Sequence, residues 1–273
     1  MNCCVWAFKP TRGMISRSGV IPLSSSFDTV GVIARNPETI KALFSIMLGQ
    51  DPDDSATEIV DTLKESFNER TDGTNEKIRL GILIGPNDNL EELRELFSDI
   101  NSPSFEVEAV FIPRPISPTF EYKKISSIDI RRDLTNFLRN FAGKDQPHSF
   151  EELVQCYRNR PESHPFGMDR LEDAFQFKEE AEIFVKLVEQ EKERANQFIE
   201  RIMAEHKVQF LVSSEYVDWW SIGGGPTMTF PRKSNLSEDG IGRTIPKPDM
   251  FMIGGKIGED LRVLDFVNDC FFD

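Results

Sequence analysis

The run Ile78-Arg79-Leu80-Gly81-Ile82-Leu83-Ile84 sets the tightest limit on what this chain can fold into. It is apolar at almost every position, not at alternate ones, and Gly85-Pro86 stops it. Such a strand has both faces covered, as central strands of layered α/β sheets do. Helical spacing follows from Leu90 to Ile100, and Val107 to Ile112 is a second apolar run. So short a strand–helix–strand unit most simply gives two parallel strands joined by a right-handed crossover.

The rest of the chain alternates in the same way. Residues 38–49 carry apolar side chains at 40, 43, 44, 47 and 48, between Asn36-Pro37 and Gly49, which predicts a helix. Residues 56–69 repeat the pattern through Ile59, Val60, Leu63 and Phe67. Helices are predicted over 128–141 and, behind a Ser149 cap, over 150–157. Residues 169–205 form a charge-laced stretch that reads as one long helix or two abutting ones with a solvated face. Strands are predicted over 208–212, 227–230 and 250–253, a closing helix over 261–272, and a polar surface loop over 235–242. The fold class is α/β, a mixed β-sheet core flanked by helices.

Composition narrows the function. The net charge is −14, and the longest basic cluster is Arg131-Arg132, so no nucleic-acid partner is expected. No stretch reaches about 18 apolar residues, so no membrane span is expected. Cys3, Cys4, Cys156 and Cys270 lack paired spacing and read as free, mostly buried thiols of a reducing, cytoplasmic compartment. His148, His164 and His206 have no metal-ligand spacing, so no metal and no cofactor is expected. The start, Met1 to Phe8, runs into apolar residues without a cap or charged leader and reads as a strand already in progress.

Three motifs invite chemistry and then fail to supply it. Gly223-Gly224-Gly225-Pro226 and Ile253-Gly254-Gly255-Lys256-Ile257-Gly258 match neither phosphate-loop nor dinucleotide spacing, and a tight turn suits the latter glycines better. Ser24-Ser25-Ser26 has no nearby histidine, with Lys9 and Lys41 the best lysine candidates. It reads as a turn whose hydroxyls bond local backbone.

One segment is far more specific. Phe8-Lys9-Pro10-Thr11-Arg12-Gly13, then Ser16-Arg17-Ser18-Gly19-Val20-Ile21-Pro22, then Ser26-Phe27-Asp28-Thr29-Val30-Gly31 through Arg35, closely resembles the amidase signature family just downstream of its nucleophile loop. Gly49-Gln50-Asp51-Pro52-Asp53-Asp54 resembles the family's G-x-D-x-x-D. Asp129-Ile130-Arg131-Arg132-Asp133-Leu134 and His164-Pro165-Phe166-Gly167 resemble its peptide-amidase-like branch, and Gly223 to Pro231 resembles A-G-x-P-x-[IL]-T-V-P. Departures are Val32 in place of a usual proline, Gln209 for a frequent aspartate, and Ser213-Ser214 for Pro-Thr.

The resemblance implies hydrolysis of small or peptide-like carboxamides by a Ser–cis-Ser–Lys arrangement, without metal or organic cofactor. It also implies that those residues lie upstream. Lys9 matches the lysine of the K-P-T turn and Ser24 to Ser26 match the serine run before the aspartate, so no catalytic residue is assigned within the chain. Asp28 and Thr29 are the candidates for the rim of the substrate pocket, with Asp28 as a turn residue or an ion-pair partner of Arg35 or Arg12 the competing reading. The whole of 1–273 is expected to be the C-terminal part of a single larger amidase domain, poorly stable alone, below about 50 °C, or dependent on a partner bearing the missing part. The alternative is a non-catalytic amidase-like remnant or binding subunit that acts through a partner.

Overall fold

The computed structural model describes residues 5–68, 76–98, 100, 102–160, 162, 165, 167–177, 181–238 and 244–272. Two compact units emerge. The first comprises Met1–Ser16, Thr29–Ser117 and Ala195–Asp273, and the second Arg17–Asp28 and Pro118–Arg194.

The first unit is built on a sheet of seven strands among the described residues: β1 (Trp6–Lys9), β2 (Val32–Ala34), β3 (Glu76–Ile84), β4 (Phe105–Pro113), β5 (Phe210–Ser213), β6 (Thr227–Glu238) and β7 (Thr244–Gly254). Their order is β2-β1-β6-β7-β5-β3-β4. The apolar run foreseen as central does sit inside the sheet, with β3 parallel to both β4 and β5. The remaining pairs are antiparallel, so the sheet is mixed as expected. A register shift between Pro231 and Lys233 interrupts the β6–β7 ladder where proline has no N–H to give.

Helix α1 (Pro37–Met47) starts where the sequence says it should: Asn36 accepts from the Thr39 N–H at 2.8 Å and Pro37 occupies the first turn. A 3-10 turn, Ser55–Glu58, leads into α2 (Ile59–Asn68), and α3 (Leu90–Ser98) connects β3 to β4. Helix α9 (Asp260–Phe271) closes the unit. One sheet face, bearing Phe8, Met228, Phe230 and Ile253, packs against Ile40 and Phe44 of α1 and Val263, Phe266 and Phe271 of α9. Phe230 stacks on Phe271 with centroids 4.5 Å apart, and Phe8 meets Phe44 edge-on at 5.2 Å.

The second unit holds α4 (Tyr122–Phe141), α5 (Phe150–Arg158), α6 (Asp169–Asp173) and the first part of α7 (Ala181–His206), whose residues from Ala195 belong to the first unit. Ser149 caps α5 as foreseen, accepting from Glu152 N at 3.1 Å. Ile130, Leu134, Phe150, Val154 and Ala174 form its main apolar cluster.

Several expectations need correction. The polar segment 235–242 is not simply a loop: β6 runs through Glu238, Thr244 opens β7, and 239–243 lie outside the described residues. Ladder hydrogen bonds along a hairpin override the loop-like composition. Helix α4 begins at Tyr122, six residues early, because Ser126 and Ser127 are buried and hide the helical period. Of the two readings of 169–205, the two-helix one holds, as α6 and α7. Strand β2 and helix α8 (Asp218–Gly223) were not foreseen. Cys156 is exposed, not buried; Cys270 is buried, and Cys3 and Cys4 lie outside the described residues.

Candidate functional site: the polar turns of the signature segment

In the first unit the turn after β1 is a heavily bonded polar feature. Thr11 gives its backbone N–H to Asp260 Oδ1 at 2.7 Å and its hydroxyl to Asp260 Oδ2 at 2.5 Å. The same hydroxyl oxygen accepts the Gly258 N–H at 3.1 Å. Lys9 Nζ donates to the Gly225 carbonyl and, at 3.2 Å, to that of Pro10, while Arg12 N–H reaches the Gly224 carbonyl at 2.9 Å. Three stretches far apart in sequence are thereby tied at one point: the Lys-Pro-Thr turn, the Gly224-Gly225 turn and the start of α9.

Electrostatics follow from burial. Desolvation pushes the Asp260 carboxyl above the ordinary aspartate range, against the two Thr11 bonds and the nearby Lys9 charge that pull it down. Desolvation lowers Lys9 to about 8, with Asp260 opposing. Lys9 thus spends its donors on backbone carbonyls, and no serine hydroxyl among the described residues bonds to it.

Gly13 shows why the motif needs its glycine. Its φ is +92° and a Cβ there would lie 2.1 Å from the Ala56 carbonyl oxygen. Beside it, Ser16 donates to Asp51 Oδ2 at 2.5 Å and Asp53 N–H to Asp51 Oδ1 at 2.9 Å, which holds the Asp51 carboxyl below the usual range. Asp54 caps the 3-10 turn through Ala56 N–H. The two outer aspartates of the G-x-D-x-x-D resemblance therefore fix loop backbone.

A polar group at the carboxyl ends of the parallel strands was missed. Asp88, after β3, accepts Gly85 N–H and Ser214 Oγ, each at 2.7 Å; Arg114, after β4, pairs with Glu215, after β5, at 2.5 Å. The chain leaves β3 for β4 on one side and returns to β5 on the other, a topological switch of the kind where open α/β sheets bind ligands. The available signal was polar residues directly after three buried runs.

In the second unit the serine run is a turn, with Phe27 and Asp28 N–H both reaching the Ser24 carbonyl. The Ser24 and Ser25 hydroxyls, however, reach beyond the local backbone that was expected to take them. Ser24 Oγ donates to buried Asp129 Oδ2 at 2.5 Å and Ser25 Oγ accepts from Arg132 at 2.7 Å, while Ser25 N–H bonds Asp133 at 2.8 Å. Asp129 and Asp133 lie one turn apart on α4, so the resembling stretch there anchors the serine turn. Asp28 Oδ2 accepts the N–H groups of Leu23 and Ser24, each at 2.8 Å. That is the turn-holding geometry. Thr29 is half-buried and falls in the first unit, Asp28 in the second. A shallow cleft of about 530 Å³ lies along α4, lined by Arg131, Arg132, Asn136, Arg139, Glu151 and Phe177 among others.

No group of three metal-ligating side chains occurs among the described residues, and no helix there is long and apolar enough to cross a membrane.

A mixed sheet of this order, flanked by helices, makes the first unit a layered α/β structure. The amidase family model matches residues 2–216, and the chain belongs to that family. A glutamyl-tRNA(Gln) amidotransferase subunit from Methanosphaera stadtmanae is 31% identical over 120 residues, covering 38% of this chain and 26% of that protein. Its mitochondrial counterpart from Candida albicans is 46% identical over 52 residues, 19% of this chain and 12% of that one. An amidase family protein from Bacillus anthracis superposes with a TM-score of 0.77 at 17% identity, covering 97% of this chain and 52% of its own. Native peptide amidase from Stenotrophomonas maltophilia gives 0.72 at 16% identity, covering 97% and 57%. The chain spans about half the length of these structures, and its matches cover about a quarter or less of these curated relatives.

Proposed function

We propose that this chain is the downstream portion of an enzyme that cleaves carboxylic amides, small or peptide-like, with the nucleophile and its base supplied by residues outside it. The family match over residues 2–216 carries this reading. The role of the described residues is positioning: Lys9, Thr11 and Asp260 lock the turns that follow β1 and precede α9. Rigid turns of this kind support a reacting centre held to within fractions of an ångström.

A second reading, a binding subunit that works through a partner, is supported by relatives that carry the name of an amidotransferase subunit. Ammonia release from a panel of alkyl amides, glutamine and C-terminal peptide amides separates the two. The hydrolase reading expects release from the chain extended upstream to family length and none from the 273 residues. No release from either form would sink it.

A further inference from the structure

We propose that the outer half of the β6–β7 hairpin is a dimerisation arm, and that its occupant is the same arm of a second copy of this chain. This is independent of the amidase reading. Strand β6 (Thr227–Glu238) pairs with β1 only over Thr227 to Thr229, and β7 (Thr244–Gly254) pairs with β5 only over Met252 to Gly254. From Lys233 to Glu238 and from Thr244 to Asp249 the two strands have, among the described residues, only each other as ladder partners. A two-stranded ribbon is marginal by itself, and three or more strands make a stable sheet.

The two outer edges of the arm differ. Pro248 stands opposite Ser234, and Pro246 opposite Leu236. Proline has no N–H to exchange, so both must be non-hydrogen-bonded pairs, in which the backbone groups of all four residues turn away from the hairpin partner. The β7 edge therefore lacks two donors and resists further pairing. The β6 edge presents complete N–H and C=O groups at Ser234 and Leu236 and, by the same alternation, at Glu238. An antiparallel partner on that edge must match residues whose backbone groups face outward with others that do the same. A second arm related by a two-fold axis at Asn235 meets this condition: Ser234 lies opposite Leu236 of the partner subunit, and Leu236 opposite the partner's Ser234. That register also overlaps the arm from end to end and sets basic Arg232 and acidic Glu238 opposite one another twice. A parallel partner would bring like charges together. The product is a four-stranded sheet, β7-β6-β6-β7, whose two outer edges are the proline-bearing ones.

Sedimentation velocity of the 273-residue chain over a concentration series is expected to show a monomer–dimer equilibrium. Glu238→Arg and Arg232→Glu should each weaken it at least about tenfold, and the double variant should restore it. Leu236→Pro removes an outward N–H that the hairpin does not use, and should abolish the dimer with the far-ultraviolet spectrum unchanged. Should that variant unfold, the charge-reversal set decides alone. Asn235→Cys, at the two-fold axis, should give a covalent dimer under mild oxidation, with a 235–235 disulfide found by peptide mapping; Glu205→Cys, at an exposed position on α7, is the control. A monomer at every concentration, a dimer indifferent to the charge reversals or surviving Leu236→Pro, or a cysteine at 235 that links no faster than the control overturns the proposal.

Discussion

Replacing Thr11 by valine removes one hydroxyl and almost no volume, which isolates the polar lock around Asp260. Thr11 is 1% exposed and Asp260 fully buried. Two bonds disappear: the 2.5 Å bond from the hydroxyl to Asp260 Oδ2 and the 3.1 Å bond from Gly258 N–H to the hydroxyl oxygen. A hydrogen bond to a charged group contributes about 1.5–3 kcal/mol, and a buried N–H left without an acceptor costs about 1–3 kcal/mol. The two overlap, since Asp260 keeps its bond from Thr11 N–H, so Thr11→Val should cost about 2–4 kcal/mol. Thr11→Ser keeps both bonds and loses one methyl, about 1 kcal/mol. Urea unfolding measures both, and the midpoint should fall with the slope unchanged. A valine variant within about 0.5 kcal/mol of the parent, or a serine variant as damaged as the valine one, would refute the reasoning.

Other consequences can be measured on the same preparations. Lys9 has a folded-state pKa lowered to about 8, so its contribution to stability is present above its unfolded value and lost as pH falls through 8; the stability of the parent relative to Lys9→Met should therefore rise between pH 7 and pH 10, and a flat difference would contradict the assigned burial. Gly13→Ala meets both a φ of +92° and the Ala56 carbonyl, whereas Gly19→Ala meets only a φ of +76° in open space. The first should cost more than about 2 kcal/mol and the second about 1 kcal/mol, by thermal or urea unfolding. Asp129→Asn weakens the anchor of the serine turn, at about 1–3 kcal/mol, and should speed proteolytic cutting within residues 17–28; unchanged cutting would show that the turn holds itself.

The sequence was most informative where structure is local. The β3 run, the Asn36-Pro37 start of α1 and the Ser149 cap each write their geometry into a few adjacent residues, and all three recur in the fold. Strand β2 is three residues long, too short to show a period. Helix α8 is six residues around Trp219-Trp220 that end at Gly224 in the left-handed region, and its bulky pair read as neither helix nor strand. The site was less legible still. Thr11 meets Asp260 across 249 positions and Ser24 meets Asp129 across 105, and nothing in the neighbourhood of either residue marks its partner. The Ser24 hydroxyl in particular had nearby backbone to choose; the buried Asp129 carboxylate on α4 is the stronger acceptor and won.

The distance along the chain between Thr11 and Asp260 also sets an order of events. The β3–α3–β4 unit closes from neighbouring residues, and loops of that size form early. Strand β1 has no such neighbour on one side: it lies between β2 and β6, so its place exists only after the chain has returned to Thr227. The polar lock then needs the start of α9 as well. It is thus assembled late, and its loss should accelerate unfolding while leaving the refolding rate nearly untouched. The most specific stretch of this sequence, read first from the amino terminus, is among the last to become structure.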